Sequence, residues 1–303
     1  MRILMTGSTG FIGSHLAKAL YFSGQHDLVL VKRAHSDLSL IKQLNSKVRM
    51  YSLSESADNI YDIMEKEKPD IVIHLASLFL SKHNPSQIDG LIQSNITFPV
   101  KLLDAMASAG VKKIINTGTS WEHFNGSKDY DPVCLYAATK KALEDILLYY
   151  VNAKKFSALT LKLFDTYGPG DPRPKLFALL KKHLRESSTF VLSPGKQLLD
   201  LLYIEDVVGA YLSAVNYLSK KKTVMHEAFS IGSGRPRTLK EVVSTFEKVV
   251  GKKMNIEWGG QPYREREVMF SKADIAKAKE KLRWKPKYSL EQGIAKMISE
   301  EVI

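Results

Sequence analysis

Three glycines at fixed spacing, directly behind a short apolar run, constrain this chain more than any other feature. Residues 6–13 read Thr6-Gly7-Ser8-Thr9-Gly10-Phe11-Ile12-Gly13, after Ile3-Leu4-Met5 and before apolar positions at Ile12, Leu16, Ala19 and Leu20. The pattern predicts a buried strand, a tight turn and a helix over 12–22. Gly7 permits the turn, Gly10 lets a pyrophosphate approach the backbone, and Gly13 lets helix and strand pack closely. The helix start offers free N–H groups and about half a positive charge to phosphates. Gly7, Thr9, Gly10, Phe11, Ile12 and Gly13 are therefore candidate dinucleotide contacts. An ordinary strand-to-helix turn can carry the same glycines, so the rest of the chain must decide.

The first half alternates short apolar runs with amphipathic stretches. Strands are predicted at 27–32, 48–53, 71–75, 113–117 and 158–164, and helices at 59–66, 94–109 and 135–151. Strands spaced by helices imply right-handed crossovers and a parallel sheet covered on both faces. Past Gly168 the texture changes: Pro169, Pro172, Pro174, Pro194, Gly195 and Pro236 punctuate shorter elements, with helices near 175–185 and 239–250. This half reads as a smaller cap over the carboxyl edge of the sheet, where such sheets bind ligands.

The second strand ends Leu30-Val31-Lys32-Arg33, with no acid at its tip. An acid there would suit the ribose 2′-hydroxyl of NAD, whereas a basic residue suits the 2′-phosphate of NADP. Lys32 and Arg33 are read as a 2′-phosphate clamp, so NADP(H) is preferred and NAD(H) remains possible.

Tyr136-Ala-Ala-Thr-Lys140 places a phenol and an ammonium on one helix face. A tyrosine near pKa 10 needs about 4 kcal/mol to shift by about three units. A lysine about 4 Å away at an effective dielectric of about 20 supplies about that much. Tyr150-x-x-x-Lys154 and Tyr217-x-x-x-Lys221 match the same spacing, but only Tyr136 starts its helix at the sheet's carboxyl edge. The fifth strand ends Thr117-Gly118-Thr119-Ser120, and a hydroxyl at such a tip can hold a substrate oxygen; Thr119 is the first choice and Ser120 the second.

The formal net charge is +12 and the isoelectric point about 9.4. Lysine dominates, the basic runs are short, and no aromatics are interleaved, which argues against nucleic acid. Cys134 is the single cysteine, no Cys/His cluster has metal spacing, and no apolar run is long enough for a membrane helix. Met1–Met5 leaves no room for a signal peptide before the glycine turn, and a cytoplasmic protein is expected.

Taken together, the glycine turn, His74-Leu-Ala-Ser77, Asn95, Thr117–Thr119, Tyr136-x-x-x-Lys140, Tyr167-Gly-Pro169, Asp200–Val207, Ile231-Gly-Ser-Gly234 and Leu282–Pro286 resemble the extended short-chain dehydrogenase/reductases, the NAD-dependent epimerase/dehydratase family. Within it, the chain is similar to nucleotide-sugar 4-ketoreductases of bacterial O-antigen pathways, the group that includes CDP-abequose synthases. The resemblance implies a Rossmann-type doubly wound parallel sheet over 1–168, to which 199–232 returns. A smaller C-terminal α/β nucleotide-sugar cap would comprise 169–198 and 233–303. It implies a homodimer through helices 94–109 and 135–151.

By position, Thr119, Tyr136 and Lys140 match the catalytic set. Leu75, Ala76, Ser77, Asn95, Tyr136 and Lys140 match cofactor-side positions, Asn95 as a structural asparagine. Ser120, Trp121, Asp165, Thr166, Lys175 and Arg264 are assigned to the substrate. Dehydratases carry Asp-Glu after the catalytic Thr where this chain has Ser120-Trp121, which disfavours dehydration. Leu199 replaces the arginine usual before Asp200, the third strand lacks the usual acid near Leu53, and a loop between Thr119 and Tyr136 is short. The implied activity is NAD(P)H-dependent reduction of a nucleoside-diphosphate 4-keto-deoxysugar at C4, in nucleotide-sugar and lipopolysaccharide biosynthesis. A 4-epimerase that retains NAD is the alternative within the family; a non-catalytic dinucleotide sensor or a basic RNA-binding relative is the alternative outside it.

Overall fold

The computed structural model describes residues 1–301. The chain runs β1 (Arg2–Thr6), α1 (Phe11–Phe22), β2 (Asp27–Arg33), β3 (Arg49–Leu53), α2 (Ile60–Glu67), β4 (Ile71–His74), α3 (Ile88–Ile92), α4 (Phe98–Ser108), β5 (Lys113–Thr119), α5 (Leu135–Lys154) and β6 (Ser157–Leu163). There follow β7 (Asp165–Tyr167), α6 (Leu176–Glu186), β8 (Phe190–Leu192), β9 (Leu198–Leu199), β10 (Leu201–Tyr203), α7 (Ile204–Ser219), β11 (Met225–Ile231), β12 (Arg237–Thr238), α8 (Leu239–Val250), β13 (Ile256–Trp258), α9 (Ala276–Lys281) and α10 (Leu290–Glu300).

Seven strands form one sheet in the order β11-β6-β5-β4-β1-β2-β3, and every pairing within it is parallel. Ile3, Leu4 and Met5 of β1 are all inaccessible, as a strand with helices on both faces requires. One apolar cluster fills the face under α2, α4 and α5. The other joins α1, α7 and the later helices α6, α8 and α10 into a continuous core. The doubly wound parallel sheet expected from the alternation of strands and helices is what forms. Strand order reverses between β1 and β4, and the last residues there are Thr6 and His74, with Thr119 ending β5 alongside.

Most predicted elements fall within a residue or two of their observed ends, as helix and strand termini normally scatter. The helix predicted over 135–151 runs on to Lys154, and the helix predicted over 94–109 departs most. It is interrupted by a π-helical stretch, Gln93–Thr97, between α3 and α4. Pro99 lacks the N–H needed for a regular ladder, and the extra residue in the turn rotates Asn95 inward to 1% exposure. The short strands β8, β9, β10, β12 and β13 are too brief to show a period in the sequence. They pair as β13 with β8, β12 with β9 and β10 with β7.

Two buried carboxylates knit the later segments to the sheet. Asp200 accepts from Ser233 N and Oγ, Gly234 N and Ala273 N. Asp206 accepts from the Lys287 and Tyr288 amides, and its carbonyl takes the Trp284 indole N–H at 3.0 Å. Segment 266–270 packs on the loop leaving β5, where Arg266 pairs with Asp131 and the Met269 amide donates to Asn125 Oδ1 at 2.6 Å.

Candidate active site

The turn between β1 and α1 is built on near-contact of backbones. A Cβ on Gly7, whose φ is +74°, would lie 2.5 Å from Ala76 N; one on Gly13 would lie 2.1 Å from the Gly7 oxygen. Gly10 differs: its nearest neighbour would be the Gly7 oxygen at 3.5 Å, with open space otherwise. Gly10 is also the N-cap of α1, which has no side-chain cap and no acid in its first turn. The chain thus leaves bare backbone, free donors and no competing anion at the mouth of a parallel-sheet crevice, which fits a diphosphate.

That crevice, about 230 Å³, is lined by Gly7, Gly10, Phe11, Ile12 and Gly13 from the turn, and by Leu75 and Ser77 after β4. Thr119, Ser120 and Trp121 after β5, Tyr136 and Lys140 on α5, and Asp165, Thr166 and Lys175 complete its walls. A larger cavity, about 590 Å³, lies apart from it around Ser233, Lys272 and Lys285; it has neither the glycine turn nor the Tyr–Lys pair, so the smaller crevice is the chemical candidate.

Cys134 begins α5 in an extended conformation, and the helix then presents Tyr136 and Lys140 on consecutive turns of one face. Tyr136 is half-buried and lines the crevice. Burial pushes that phenol up to about 12, opposed by the Ser77 hydroxyl beside it. Lys140 is 1% exposed, and burial pushes its ammonium down to about 8 against the pull of Glu144 and Glu122. The expected lowering of the phenol by its lysine is therefore not the dominant effect: desolvation outweighs charge, and Tyr136 is held as a protonated acid at neutral pH. The other two Tyr-x-x-x-Lys matches lie elsewhere. Tyr150 packs against Phe156 in the core, and the Tyr217 hydroxyl donates to Glu227 at 2.9 Å.

Thr119 Oγ1 accepts from the Trp121 amide at 3.2 Å, capping a short 3-10 turn and leaving its own O–H free to donate. Lys175 lies 3.4 Å from Asp165, and Arg173 reaches Thr166 Oγ1 at 3.5 Å.

Several expected contacts do not face the crevice. Asn95 is wholly engaged inside the protein: it accepts from Leu78 N and Ser77 Oγ and donates to Leu78 O and Thr139 Oγ1. It braces the loop after β4 against α5. Thr9 and Ala76 belong to the turn's framework and do not line the space; the Ala76 amide points to Thr6 Oγ1 at 3.4 Å. Lys32 Nζ donates to Ser52 Oγ at 2.9 Å across the β2–β3 pair, and Arg33 is exposed, so no assembled 2′-phosphate clamp is present. Arg264 lies on the surface, 3.9 Å from Glu267, because its segment docks on the β5 loop through Arg266.

Several lining residues escaped the sequence reading, Phe79 and Arg173 among them. Phe79 meets Tyr136 edge-on at 5.0 Å and Trp121 at 5.5 Å, and Arg173 lies over the Phe11 ring at 5.0 Å. Phe79 lies two residues past the His74–Ser77 motif, and its place after a strand end is the signal that would have found it. Among the described residues no helix is long and apolar enough to cross a membrane, and no group of three His, Cys, Asp or Glu side chains is placed to hold a metal.

Comparison with known proteins agrees with this geometry. The chain is 28% identical to CDP-abequose synthase from Salmonella typhimurium, over 98% of this chain and 97% of that protein. It is 27% identical to UDP-glucuronate 4-epimerase from Thermodesulfobacterium geofontis, over 98% and 94% respectively. The crystal structure of UDP-glucuronic acid 4-epimerase from Bacillus cereus, in complex with UDP-glucuronic acid and NAD, superposes with a TM-score of 0.88 at 25% identity, covering 98% of each chain. The profile of the NAD dependent epimerase/dehydratase family matches residues 3–232. A bare glycine turn at the crevice mouth, a Tyr–Lys pair on the crevice wall and a family profile spanning both lead to one conclusion: the chain is an enzyme of the NAD dependent epimerase/dehydratase family.

Proposed function

We propose that the protein is an NAD(P)H-dependent reductase acting on the C4 carbonyl of a nucleoside-diphosphate 4-keto-deoxysugar. The observation that carries this reading is the convergence of Tyr136, Lys140 and Thr119 on one crevice with the glycine turn. The end-to-end likeness to CDP-abequose synthase supports the same reading.

Gly7, Gly10 and Gly13 hold the diphosphate of the dinucleotide, and Lys140 holds its nicotinamide ribose. The reduced nicotinamide, when bound, supplies a hydride to C4. Thr119 donates a hydrogen bond to the C4 oxygen as negative charge develops there, and Tyr136 gives that oxygen its proton. Phe79 and Trp121 shield the reacting carbon from water, and Lys175 and Arg173 favour the anionic end of the substrate. Ser120, Asp165 and Thr166 complete the sugar pocket. Lys32 and Arg33 give the end of β2 a basic pair in place of an acid, which favours NADPH. The subunit pairs with a second copy through residues 94–109 and 135–151, a surface that includes the exposed Leu148 and Tyr149.

The test is loss of reduced-nicotinamide absorbance with a panel of nucleoside-diphosphate 4-keto-deoxysugars. Tyr136→Phe keeps the shape and removes the proton, and turnover falls by about 10²–10⁴-fold. Undiminished turnover in that variant contradicts the reading. Equal affinity for NADH and NADPH removes the cofactor preference alone. A 4-epimerase is the second reading, favoured by the superposition on an epimerase holding NAD. An epimerase recycles its dinucleotide, so purified protein carrying stoichiometric NAD selects it.

A further inference from the structure

Behind Lys140 lies a cluster of buried charge that none of the roles above uses. Glu122 ends the 3-10 turn after β5 and is completely buried. Glu144 stands one helical turn beyond Lys140 on α5 and is 7% exposed. Lys162, opposite Gly118 on β6, donates to Glu122 Oε2 at 2.6 Å and lies 3.2 Å from Glu144 Oε2. The second oxygen of each carboxylate, Oε1, is buried and has no hydrogen-bond partner among the described residues. Lys140 is itself buried and makes no direct ion pair among them.

An isolated ammonium at that depth gives up its proton, because burial penalises the charged form. Two carboxylates and two ammoniums, however, make a neutral set. The carboxylates come from different elements, so the set joins the turn bearing Thr119 and Ser120 to the helix bearing Tyr136. Of the other groups facing Lys140, His74 on β4 is buried and neutral, and Tyr136 is a protonated phenol; Lys141 acts on Glu144 from the outer side of α5.

We propose that Glu122, Glu144 and Lys162 are positioning residues for Lys140, a charge-balanced quartet, three of its members buried and Lys162 half-buried, that keeps its ammonium in place and fixes the strand-end turn against α5. This rests on the reading that Lys140 contacts the dinucleotide ribose. Burial drives Lys140 down while Glu144 and Glu122 drive it up, which is the sign such a quartet requires.

The test is a fluorescence titration with NADH or NADPH, whichever the natural chain binds more tightly, from about pH 6 to about pH 10, a span that brackets lysine. Affinity is flat at low pH and falls above a midpoint set by Lys140. Glu122→Gln lowers that midpoint by about one pH unit, weakening binding up to about tenfold between the two midpoints and leaving it unchanged at pH 6. Lys162→Gln removes a like charge and raises the midpoint. General loosening of the fold cannot move it in both directions. Should one variant fail to fold by circular dichroism, the sign of the other decides. Two unmoved midpoints, or two moved the same way, overturn the quartet. A natural chain that binds neither dinucleotide overturns the functional reading instead.

Discussion

The Asn95 side-chain amide donates to Thr139 Oγ1 at 3.0 Å, bridging the π-helical stretch to the residue just before Lys140. The same side chain holds Leu78 through both its N–H and its carbonyl. One buried amide therefore sets the distance between the loop after β4 and α5. Asn95→Leu leaves several buried polar groups unpaired and costs at least about 2 kcal/mol. Urea midpoints and turnover should fall together. A variant as stable and active as the natural chain would show that the bridge has no such role.

The glycines of the turn separate folding from binding. Gly13→Ala drives a Cβ into the Gly7 carbonyl and should abolish folding, because backbone cannot yield as a flexible side chain does. Gly10→Ala meets only ordinary contact distance at a φ that alanine adopts, and its melting temperature should move little. Its dinucleotide affinity should nonetheless drop on the order of tenfold, about 1.4 kcal/mol, since the methyl projects where a phosphate would rest. Melting curves and dinucleotide titrations of the two variants decide this; unchanged affinity in Gly10→Ala would place the diphosphate elsewhere.

Thr119 and Ser120 differ in what their hydroxyls already do. The Thr119 oxygen accepts from the Trp121 amide, which fixes its position and leaves its O–H to donate, the role a developing oxyanion needs. Thr119→Val should cost about 1 kcal/mol of stability through the lost cap. It should also lower kcat by about 10²-fold or more, as lost oxyanion donors do. Ser120→Ala should do neither to that degree. The reverse ranking in steady-state kinetics reassigns the role to Ser120.

His74 makes stability depend on acid. Its ring is inaccessible, and burial pushes it down to about 3, far below the unfolded value near 6.5. A depressed folded value means stability is fully present above about pH 6.5 and is lost as pH falls toward 3. Between pH 7 and pH 5 this one ring accounts for about 2 kcal/mol, at about 1.4 kcal/mol per pH unit of unmatched proton uptake. Denaturation midpoints of His74→Asn should lose that slope relative to the natural chain. Equal slopes would mean that the ring stays accessible to protons in the folded protein.

Much of this arrangement was legible because it rests on short-range patterns. Glycine spacing forced the first turn, and alternating apolar runs forced the parallel sheet. Helix position distinguished Tyr136 from Tyr150 and Tyr217, which the spacing motif alone could not do. The residues that escaped depend on tertiary placement. Phe79 belongs to no periodic element, and Glu122 reads as an ordinary polar loop residue until Lys162 arrives from another strand. The π-helical stretch was hidden because one added residue breaks the period that would have announced it. Arg264 went astray for a related reason: three charged neighbours share its segment, and only the packing of the β5 loop chose Arg266 as the docking one.

Asp200 shows how strictly chemistry, rather than volume, can fix a residue. Its two oxygens receive four donors, from Ser233, Gly234 and Ala273, in a place no water reaches. Asparagine has the same outline but turns one acceptor into a donor, setting hydrogens against hydrogens. The junction between the sheet and the last seventy or so residues therefore works like a lock cut for one key, where a copy of the right shape in the wrong metal will not turn.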